Sequence, residues 1–207
     1  MQDSTTHSHS MLPVMESFYT LQGEGYYTGQ AAYFIRLAGC DVGCVWCDVK
    51  DSWEQSNHPK YTVETLQQLV KDSGARICVI TGGEPCMYDL SALTNALHAI
   101  QVSVHIETSG THPITGTIDW ICLSPKKFKA PLPENLPLAH EFKPVIYHAS
   151  DFEWAESFRP QLSDACKLYL QVEWSKSETL MPKLVDYIQQ QPAWTLSLQT
   201  HKFIHIP

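Results

Sequence analysis

The sequence predicts an α/β domain built as a partial, TIM-like barrel of about six parallel strands. Short apolar runs that are typical of buried strands alternate with segments of helical periodicity, and this alternation predicts a parallel sheet with helical crossovers. About six strands are too few to close an eight-stranded barrel, so the sheet is expected to stay open. Polar clusters follow several strands, and α/β folds place their functional sites at these strand ends.

The elements can be assigned along the chain in order. The first predicted strand covers 31–38, and the first helix covers 62–73, with Thr62 as its N-cap and Gly74 as its stop. The other predicted strands cover 76–81, 102–108, 118–124, 144–147, 167–172 and 195–200. The other predicted helices cover 89–100, 151–158 and 177–190. The Pro- and Lys-rich stretch 125–144 is predicted to be a long functional loop, 1–10 a disordered tail, and 11–207 a single domain.

Composition excludes several classes of protein. A formal net charge of −8 argues against a nucleic-acid-binding surface. No apolar run approaches the roughly 20 residues that span a bilayer, and no signal-peptide core is found, so no membrane partner and a cytoplasmic location are expected. Seven cysteines, three of them in one short loop, suit a metal or cluster site better than a disulfide framework. Cys78 and Cys122 lie in apolar runs and are predicted to be small buried hydrophobes.

The cysteine loop carries the strongest signal. Cys40, Cys44 and Cys47 follow the first predicted strand with the spacing C-x3-C-x2-C, and Trp46 adds an aromatic face. Three thiolates in one loop can hold three irons of a 4Fe–4S cube and leave the fourth iron open to a ligand. The alternative is a zinc site with Asp48 or a histidine as fourth ligand. Structural zinc sites usually use two ligand pairs, and no second pair follows in the sequence.

Two further motifs stand at the ends of predicted strands. In T-G-G-E-P, which begins at Thr81, the glycines permit close approach of the backbone to a ligand, and Glu84 offers a carboxylate to an ammonium group. Ser124-Pro125-Lys126 brings a hydroxyl and an ammonium to the same edge. The alternative for Lys126 is a solvated lysine in a loop.

Three other polar features remain to be placed. Arg36 stands on an otherwise apolar strand and needs an anionic partner, which is either a substrate carboxylate or a neighbouring carboxylate in a structural ion pair. The motif L-Q-G-E-G from Leu21 is predicted to form a flexible turn that carries the carboxylate of Glu24. The end of the chain, with His201 and an apolar pair, is expected to dock near the site rather than to fray.

Together these motifs resemble one family, the 7-carboxy-7-deazaguanine synthases of the radical S-adenosylmethionine (SAM) superfamily. LQGEG, GCDVGCVWCD, TGGEP, ETSGT, SPK and QTHK occur in order over nearly the whole chain. The resemblance implies a reduced radical SAM fold, a homodimer, and a reductant such as flavodoxin or ferredoxin. It also implies a lyase that uses a 4Fe–4S cluster and SAM to convert 6-carboxy-5,6,7,8-tetrahydropterin into 7-carboxy-7-deazaguanine and ammonia, in 7-deazapurine (queuosine precursor) biosynthesis.

The resemblance also assigns site residues. The cluster ligands that generate the radical are Cys40, Cys44 and Cys47. The residues implied around SAM are Trp46, Cys47, Asp48, Gly83, Glu84, Ser124, Pro125, Lys126 and Gln171. The residues implied around the pterin are Leu21, Gln22, Gly23, Glu24, Arg36, Thr81, His201 and Pro207, with Arg36 on the substrate carboxylate. One position departs from the family: Val49 replaces a threonine whose hydroxyl coordinates Mg²⁺, so only weak dependence on this ion is expected.

Two other functions share part of this pattern. A glycyl-radical-enzyme activase would have the same cysteine loop but would need an open groove for a loop of its partner protein. A non-catalytic zinc or iron–sulfur module would have the thiols without SAM chemistry. A chain end folded towards a small pocket disfavours the activase, and metal analysis together with SAM cleavage distinguishes the enzyme from the module.

Overall fold

Ten strands form one sheet in the computed structural model, which describes residues 11–207. The strands are β1 (Met11–Leu21), β2 (Ala31–Leu37), β3 (Lys60–Thr62), β4 (Ile77–Gly82), β5 (Ser103–Thr108), β6 (Trp120–Leu123), β7 (Glu141–Phe142), β8 (Val145–Ile146), β9 (Lys167–Val172) and β10 (Thr195–Ser197). The helices are α1 (Val63–Ser73), α2 (Ser91–Ala99), α3 (Asp151–Glu156), α4 (Ser177–Gln190) and α5 (Thr200–Ile204).

The sheet is open and mostly parallel. Its strand order is β10-β9-β7-β6-β5-β4-β2-β1-β3, with β8 paired to β9. Along this order every pairing between β10 and β2 is parallel, as is that of β8 with β9, and the alternation of strands and helices predicts this. β3 and β10 end the order at opposite sides, so the barrel does not close. The carboxyl ends of the parallel strands therefore lie along one edge, and the loops that follow them meet there.

The sequence analysis missed the first strand. It predicted no strand before 31, whereas β1 runs from Met11 to the predicted turn at Leu21 and pairs antiparallel with both β2 and β3. A bulge between Val14 and Glu16 interrupts its register against β2, and Pro13 stands within it. The bulge breaks the period-two pattern by which a strand is recognised, because it moves later side chains to the other face.

Two segments later in the chain also differ from prediction. The stretch predicted as a loop, 125–144, contains a 3-10 helix at Pro133–Leu138 and the strand β7. β7 has only two residues, too few to show periodicity, although the side chain of Phe142 is fully buried. The last predicted strand, 195–200, ends at Ser197, and the chain continues as α5.

Two groups of apolar side chains pack on the sheet. The first joins β2, β4 and β5 to α1 and α2, and the second joins β7 and β9 to α3 and α4. The predicted ends of α1 are confirmed: the Thr62 hydroxyl accepts a hydrogen bond from Thr65 N at 3.2 Å, and Gly74 adopts the left-handed conformation. Cys78 and Cys122 are buried, as predicted.

The predicted tail and the predicted absence of a membrane-spanning segment can be compared with the described residues. The tail predicted at 1–10 lies outside the described residues. Across 11–207, no helix combines the length and the apolar character that crossing a bilayer requires.

Core packing gives a first prediction. Ile106 on β5 is fully buried, so Ile106→Ala should lower the free energy of unfolding by about 2–5 kcal/mol, because it removes apolar contacts and leaves a cavity. Anaerobic denaturant titration measures this change. The control Val185→Ala, at a position 40% exposed on α4, should change the value by less than about 1 kcal/mol. Equal losses in the two variants would contradict the assigned core.

Candidate active site

A cavity of about 290 Å³ opens among the loops at the carboxyl edge of the sheet. Most of the residues that the sequence analysis assigned to the site line it. They are Leu21, Gln22, Gly23, Glu24, Arg36, Cys40, Cys44, Trp46, Cys47, Asp48, Thr81, Gly83, Ser124, Lys126, Gln171, His201 and Pro207. Glu84 and Pro125 do not line it. The first and last of these residues, 21 and 207, are 186 positions apart in the sequence, and the fold brings them to one cavity.

The cysteine loop is held by main-chain bonds to the glycine turn that follows β4. Glu84 N donates to Gly39 O at 2.9 Å, and Gly83 N donates to Leu37 O at 3.0 Å. A β-carbon at Gly83 would overlap the Gly39 carbonyl oxygen and come within 2.7 Å of Cys40 Cβ. The two loops pack this closely only because residue 83 has no side chain.

Glu84 lies beneath the cavity lining rather than in it. Its side chain is almost fully buried, at 1% exposure. The carboxylate accepts hydrogen bonds from Cys86 N at 3.0 Å, from Ser109 N at 2.8 Å, from Thr108 Oγ1 at 2.5 Å and from the Ser109 hydroxyl. Glu84 therefore ties the glycine turn to the end of β5, and both of its partners there, Thr108 and Ser109, line the cavity.

The thiols and Lys126 form one side of the cavity. Burial raises the pKa of the Cys44 thiol to about 11, against the opposing effect of the Lys126 ammonium, and burial also raises the pKa of Cys40. Burial lowers the pKa of Lys126, whose Nζ donates to Ser124 Oγ at 2.6 Å. The same Nζ lies 5.6 Å from the centre of the Trp46 ring. The predicted Ser124–Lys126 pair is thus assembled against the cysteine loop.

The cavity also contains a lysine that the sequence analysis missed, next to Ser124, whose Oγ donates to Lys143 O at 2.7 Å. Lys143 is 2% exposed, and its Nζ lies 2.6 Å from Glu24 Oε2 and 3.2 Å from Glu107 Oε2. It follows β7 directly, within the stretch predicted to be a loop. The signal that could have found it is Phe142-Lys143-Pro144, in which a lysine follows an apolar strand end much as Lys126 does after β6.

Hydrogen bonds join these carboxylates to the L-Q-G-E-G turn. Gln22 Nε2 donates to Glu107 Oε1 at 3.0 Å, and Glu24 N donates to Gln22 Oε1 at 3.1 Å. Gln199 Nε2 donates to Glu24 Oε1 at 2.9 Å. Burial alone would raise the pKa of Glu24, but the charge and hydrogen bond of Lys143 outweigh it and lower the pKa to about 2. Glu24 is therefore ionised across the neutral range.

Arg36 has a partner on the neighbouring strand and also faces the cavity. Its Nε donates to Glu16 Oε1 on β1 at 2.7 Å, and its side chain is 21% exposed. Among residues 11–207 the guanidinium forms no other recorded hydrogen bond, so its terminal amino groups can take a further acceptor. Arg36 can therefore hold the structural ion pair with Glu16 and still bind a substrate carboxylate. Thr81, opposite Arg36 in the β2–β4 register, lines the cavity beside it.

The end of the chain closes another side of the cavity. Thr200 donates to Gly23 O twice, from its N and its Oγ1, each at 2.9 Å. Lys202 Nζ lies 3.3 Å from Asp48 Oδ2, beside the last cluster cysteine. His201 and Pro207 line the cavity, and burial lowers the pKa of His201. Short contacts to both the L-Q-G-E-G turn and the cysteine loop therefore hold the chain end in place.

Comparison with known proteins agrees with this geometry. The model of the Radical SAM superfamily matches residues 34–122. A 7-carboxy-7-deazaguanine synthase from Flavobacterium psychrophilum is 51% identical, over 95% of this chain and 93% of the relative. The chain belongs to the 7-carboxy-7-deazaguanine synthase family. A second member, from Synechocystis sp., is 46% identical over 94% of this chain and 93% of its own length.

A solved member of the family confirms the fold. The crystal structure of QueE from Escherichia coli is 35% identical and matches with a TM-score of 0.83, over 93% of this chain and 96% of that chain. The predicted family and the predicted partial barrel of the radical SAM type are therefore both confirmed. Membership of this family implies a 4Fe–4S cluster and SAM as cofactors.

The residues present fit the cluster that the family implies. Cys40, Cys44 and Cys47 are free thiols that line one cavity; Cys44 feels the charge of the other two, and Cys40 feels that of Cys47. Within the described chain, no three Cys, His, Asp or Glu side chains are placed to hold a single metal ion. An iron–sulfur cube presents its irons at separate corners, so its ligands need not converge on one point.

The close contact at Gly83 gives a second prediction. Gly83→Ala should displace the cysteine loop and lower the iron and sulfide content of reconstituted protein several-fold, because the added carbon overlaps the Gly39 carbonyl. Iron and acid-labile sulfide assays measure this. Gly74→Ala at the end of α1 is the control. A β-carbon there meets no neighbouring atom, and the positive φ costs about 1 kcal/mol of backbone strain. Because Gly74 does not line the cavity, this variant should keep full cluster content. Full cluster content in Gly83→Ala would contradict the packing described.

Proposed function

We propose that this chain converts 6-carboxy-5,6,7,8-tetrahydropterin into 7-carboxy-7-deazaguanine and ammonia by radical ring contraction, a step of 7-deazapurine (queuosine precursor) biosynthesis. The observation that carries the proposal is that one cavity is lined both by three thiols and by a paired carboxylate–lysine group. The first arrangement suits the cofactors of the superfamily, and the second suits a small polar heterocycle. The names of the family members agree with it.

The first side of the cavity holds the cofactors. Cys40, Cys44 and Cys47 would ligate the 4Fe–4S cluster, which with bound SAM supplies a 5′-deoxyadenosyl radical for hydrogen abstraction from the pterin. The residues around SAM would be Trp46, Asp48, Gly83, Ser124, Lys126 and Gln171, with Glu84 and Pro125 acting from behind the lining. Ser124 and Lys126 present a hydroxyl and an ammonium to an anionic group such as the SAM carboxylate.

The second side holds the pterin. A pterin has a guanidine-like edge, to which an ionised carboxylate such as that of Glu24 can accept paired hydrogen bonds. The terminal amino groups of Arg36 would hold the substrate carboxylate. The other contacts would come from Leu21, Gln22, Gly23, Thr81, His201 and Pro207. The docked chain end limits access of water, which protects reactive intermediates.

The proposal extends to partners and location. We place the enzyme in the cytoplasm, as a homodimer reduced by a flavodoxin or ferredoxin, with no nucleic-acid or membrane partner. In residues 11–207 all seven cysteines are free, which suits a reducing compartment. Residues 11–207 act as one domain in this proposal, preceded by the tail at 1–10.

Product formation gives the third prediction. Anaerobically reconstituted protein incubated with SAM, dithionite and the carboxytetrahydropterin should yield 7-carboxy-7-deazaguanine, identified by its mass. Cys44→Ala should abolish both the cluster and SAM cleavage, because it removes one of three ligands. Cys166→Ala, outside the cavity lining, is the matched control and should keep full activity. Deleting residues 206–207 should raise the KM for the pterin and leave SAM binding unchanged.

Two results of this assay would decide against the proposal. SAM cleavage without the pterin product would favour another radical reaction, such as activation of a partner protein. Stoichiometric zinc in place of iron and sulfide would favour the non-catalytic module.

The residue that departs from the family pattern gives the fourth prediction. Val49 lines the cavity and offers no oxygen ligand, so added Mg²⁺ should stimulate turnover only weakly. Val49→Thr should strengthen that response, because it restores a hydroxyl at the position where the family has one. Val45→Thr, at an exposed position in the same loop, is the control and should leave the response unchanged. The ratio of rates with and without Mg²⁺ is measured, and equal ratios in all three proteins would contradict this role of residue 49.

A further inference from the structure

Among the described residues that line the cavity, Lys143 is a charged side chain that is almost fully buried. It lies outside all of the sequence motifs on which the family resemblance rests. We propose that Lys143 is a positioning residue of the pterin site, which holds the carboxylates of Glu24 and Glu107 close together and facing the cavity. In this arrangement the two carboxylates accept hydrogen bonds from the guanidine-like edge of the substrate. The inference rests on the proposed function, since it concerns how the same substrate is bound.

The geometry places Lys143 at the junction of three elements. It follows β7, Glu107 lies on β5, and Glu24 lies in the loop between β1 and β2. The Nζ atom reaches one oxygen of each carboxylate, at 2.6 Å and 3.2 Å. The other oxygens accept from amides, Glu107 Oε1 from Gln22 and Glu24 Oε1 from Gln199. Every carboxylate oxygen of the pair thus has a fixed donor, while retaining lone pairs for a ligand.

Charge explains why a lysine is required at this position. Two carboxylates held close together in a buried site repel each other, and one of them would take up a proton without a nearby cation. Lys143 supplies that cation. Burial raises the pKa of a third carboxyl, Glu141, and among residues 11–207 one of its oxygens is without a hydrogen-bond partner. Lys143 therefore reduces the repulsion between Glu24 and Glu107 by direct contact with both.

The other groups that face this pair complete its electrostatics. Glu24 is also faced by Lys126 and by His201, whose pKa burial lowers. Lys143 is also faced by Cys122, whose pKa burial raises strongly, so that the thiol is uncharged near neutral pH. Lys143 is therefore the only one of these groups that both carries a charge near neutral pH and hydrogen-bonds Glu24 directly.

Removing the ammonium should make pterin binding depend on pH. With Lys143 present, the pKa of Glu24 stays near 2, so Glu24 contributes no change in binding between about pH 6 and about pH 8. Without Lys143, burial, which has the largest effect, is opposed only by the hydrogen bonds of Gln199 and Gln171, so we expect the pKa of Glu24 to rise. Glu24 then takes up a proton as the pH falls and loses an acceptor, so binding should weaken towards low pH and recover as the pH rises.

Equilibrium binding of the carboxytetrahydropterin to cluster- and SAM-loaded protein tests the proposal. Lys143→Met should weaken pterin binding on the order of tenfold or more near pH 6, with a smaller loss near pH 8. Lys143→Arg keeps the charge and should restore pH-independent binding. The double variant Lys143→Met/Glu24→Gln should bind weakly with no pH dependence, because residue 24 cannot ionise. Lys167→Met, at an exposed position on β9, is the matched control and should bind like the parent.

The controls separate positioning from structural support. Cluster content and SAM affinity should equal those of the parent in every variant. Pterin binding by Lys143→Met that does not vary with pH, or a loss of SAM affinity as large as the loss of pterin affinity, would overturn the proposal. If the methionine variant does not fold, Lys143→Gln replaces it, since its amide donates a hydrogen bond but carries no charge, and the same dependence on pH is expected. Because binding is measured, a parent that binds pterin without forming product would refute the proposed reaction and not this role of Lys143.

Discussion

The close packing of two loops, the cysteine loop after β2 and the glycine turn after β4, is the constraint on which the rest of the site depends. β2 and β4 are parallel neighbours, so their carboxyl ends place both loops side by side. Main-chain bonds from Gly83 and Glu84 then hold the cysteine loop at a distance that any side chain at residue 83 would prevent. The Glu84 carboxylate accepts hydrogen bonds from Thr108 and Ser109, which fixes the glycine turn to the end of β5. A flexible loop of three thiols thereby becomes part of a rigid sheet edge.

The cavity is divided by its chemistry. On the cysteine side, buried thiols lie beside one lysine, which suits a cluster and a cofactor that carries a carboxylate. Next to this group, Lys143 pairs with the carboxylates of Glu24 and Glu107. The chain end contacts both sides, through Asp48 and through the carbonyl of Gly23. The two sets of groups meet where Ser124 Oγ donates to Lys143 O, so a radical source and a polar substrate can be held side by side in one cavity.

Local patterns account for what could be predicted. The strands near 31–38, 76–81 and 102–108 were predicted because apolar runs between turn residues are local features, and motifs such as T-G-G-E-P are local as well. Long-range contacts account for what was missed. The bulge in β1 hides its alternation, and β7 is too short to show any. The pairing of Lys143 with Glu24, 119 positions away, is a long-range contact, and so are the bonds to Thr108 and Ser109 that hold Glu84 outside the cavity lining.

The central claim is that the three cysteines leave one corner of an iron–sulfur cube without a protein ligand, and that SAM binds there. Electron paramagnetic resonance of the reduced, anaerobically reconstituted protein tests this most directly, with spectra recorded before and after SAM is added. The account predicts the signal of a reduced 4Fe–4S cluster whose shape changes when SAM binds. A protein without such a signal, or with one that SAM leaves unaltered, would contradict it.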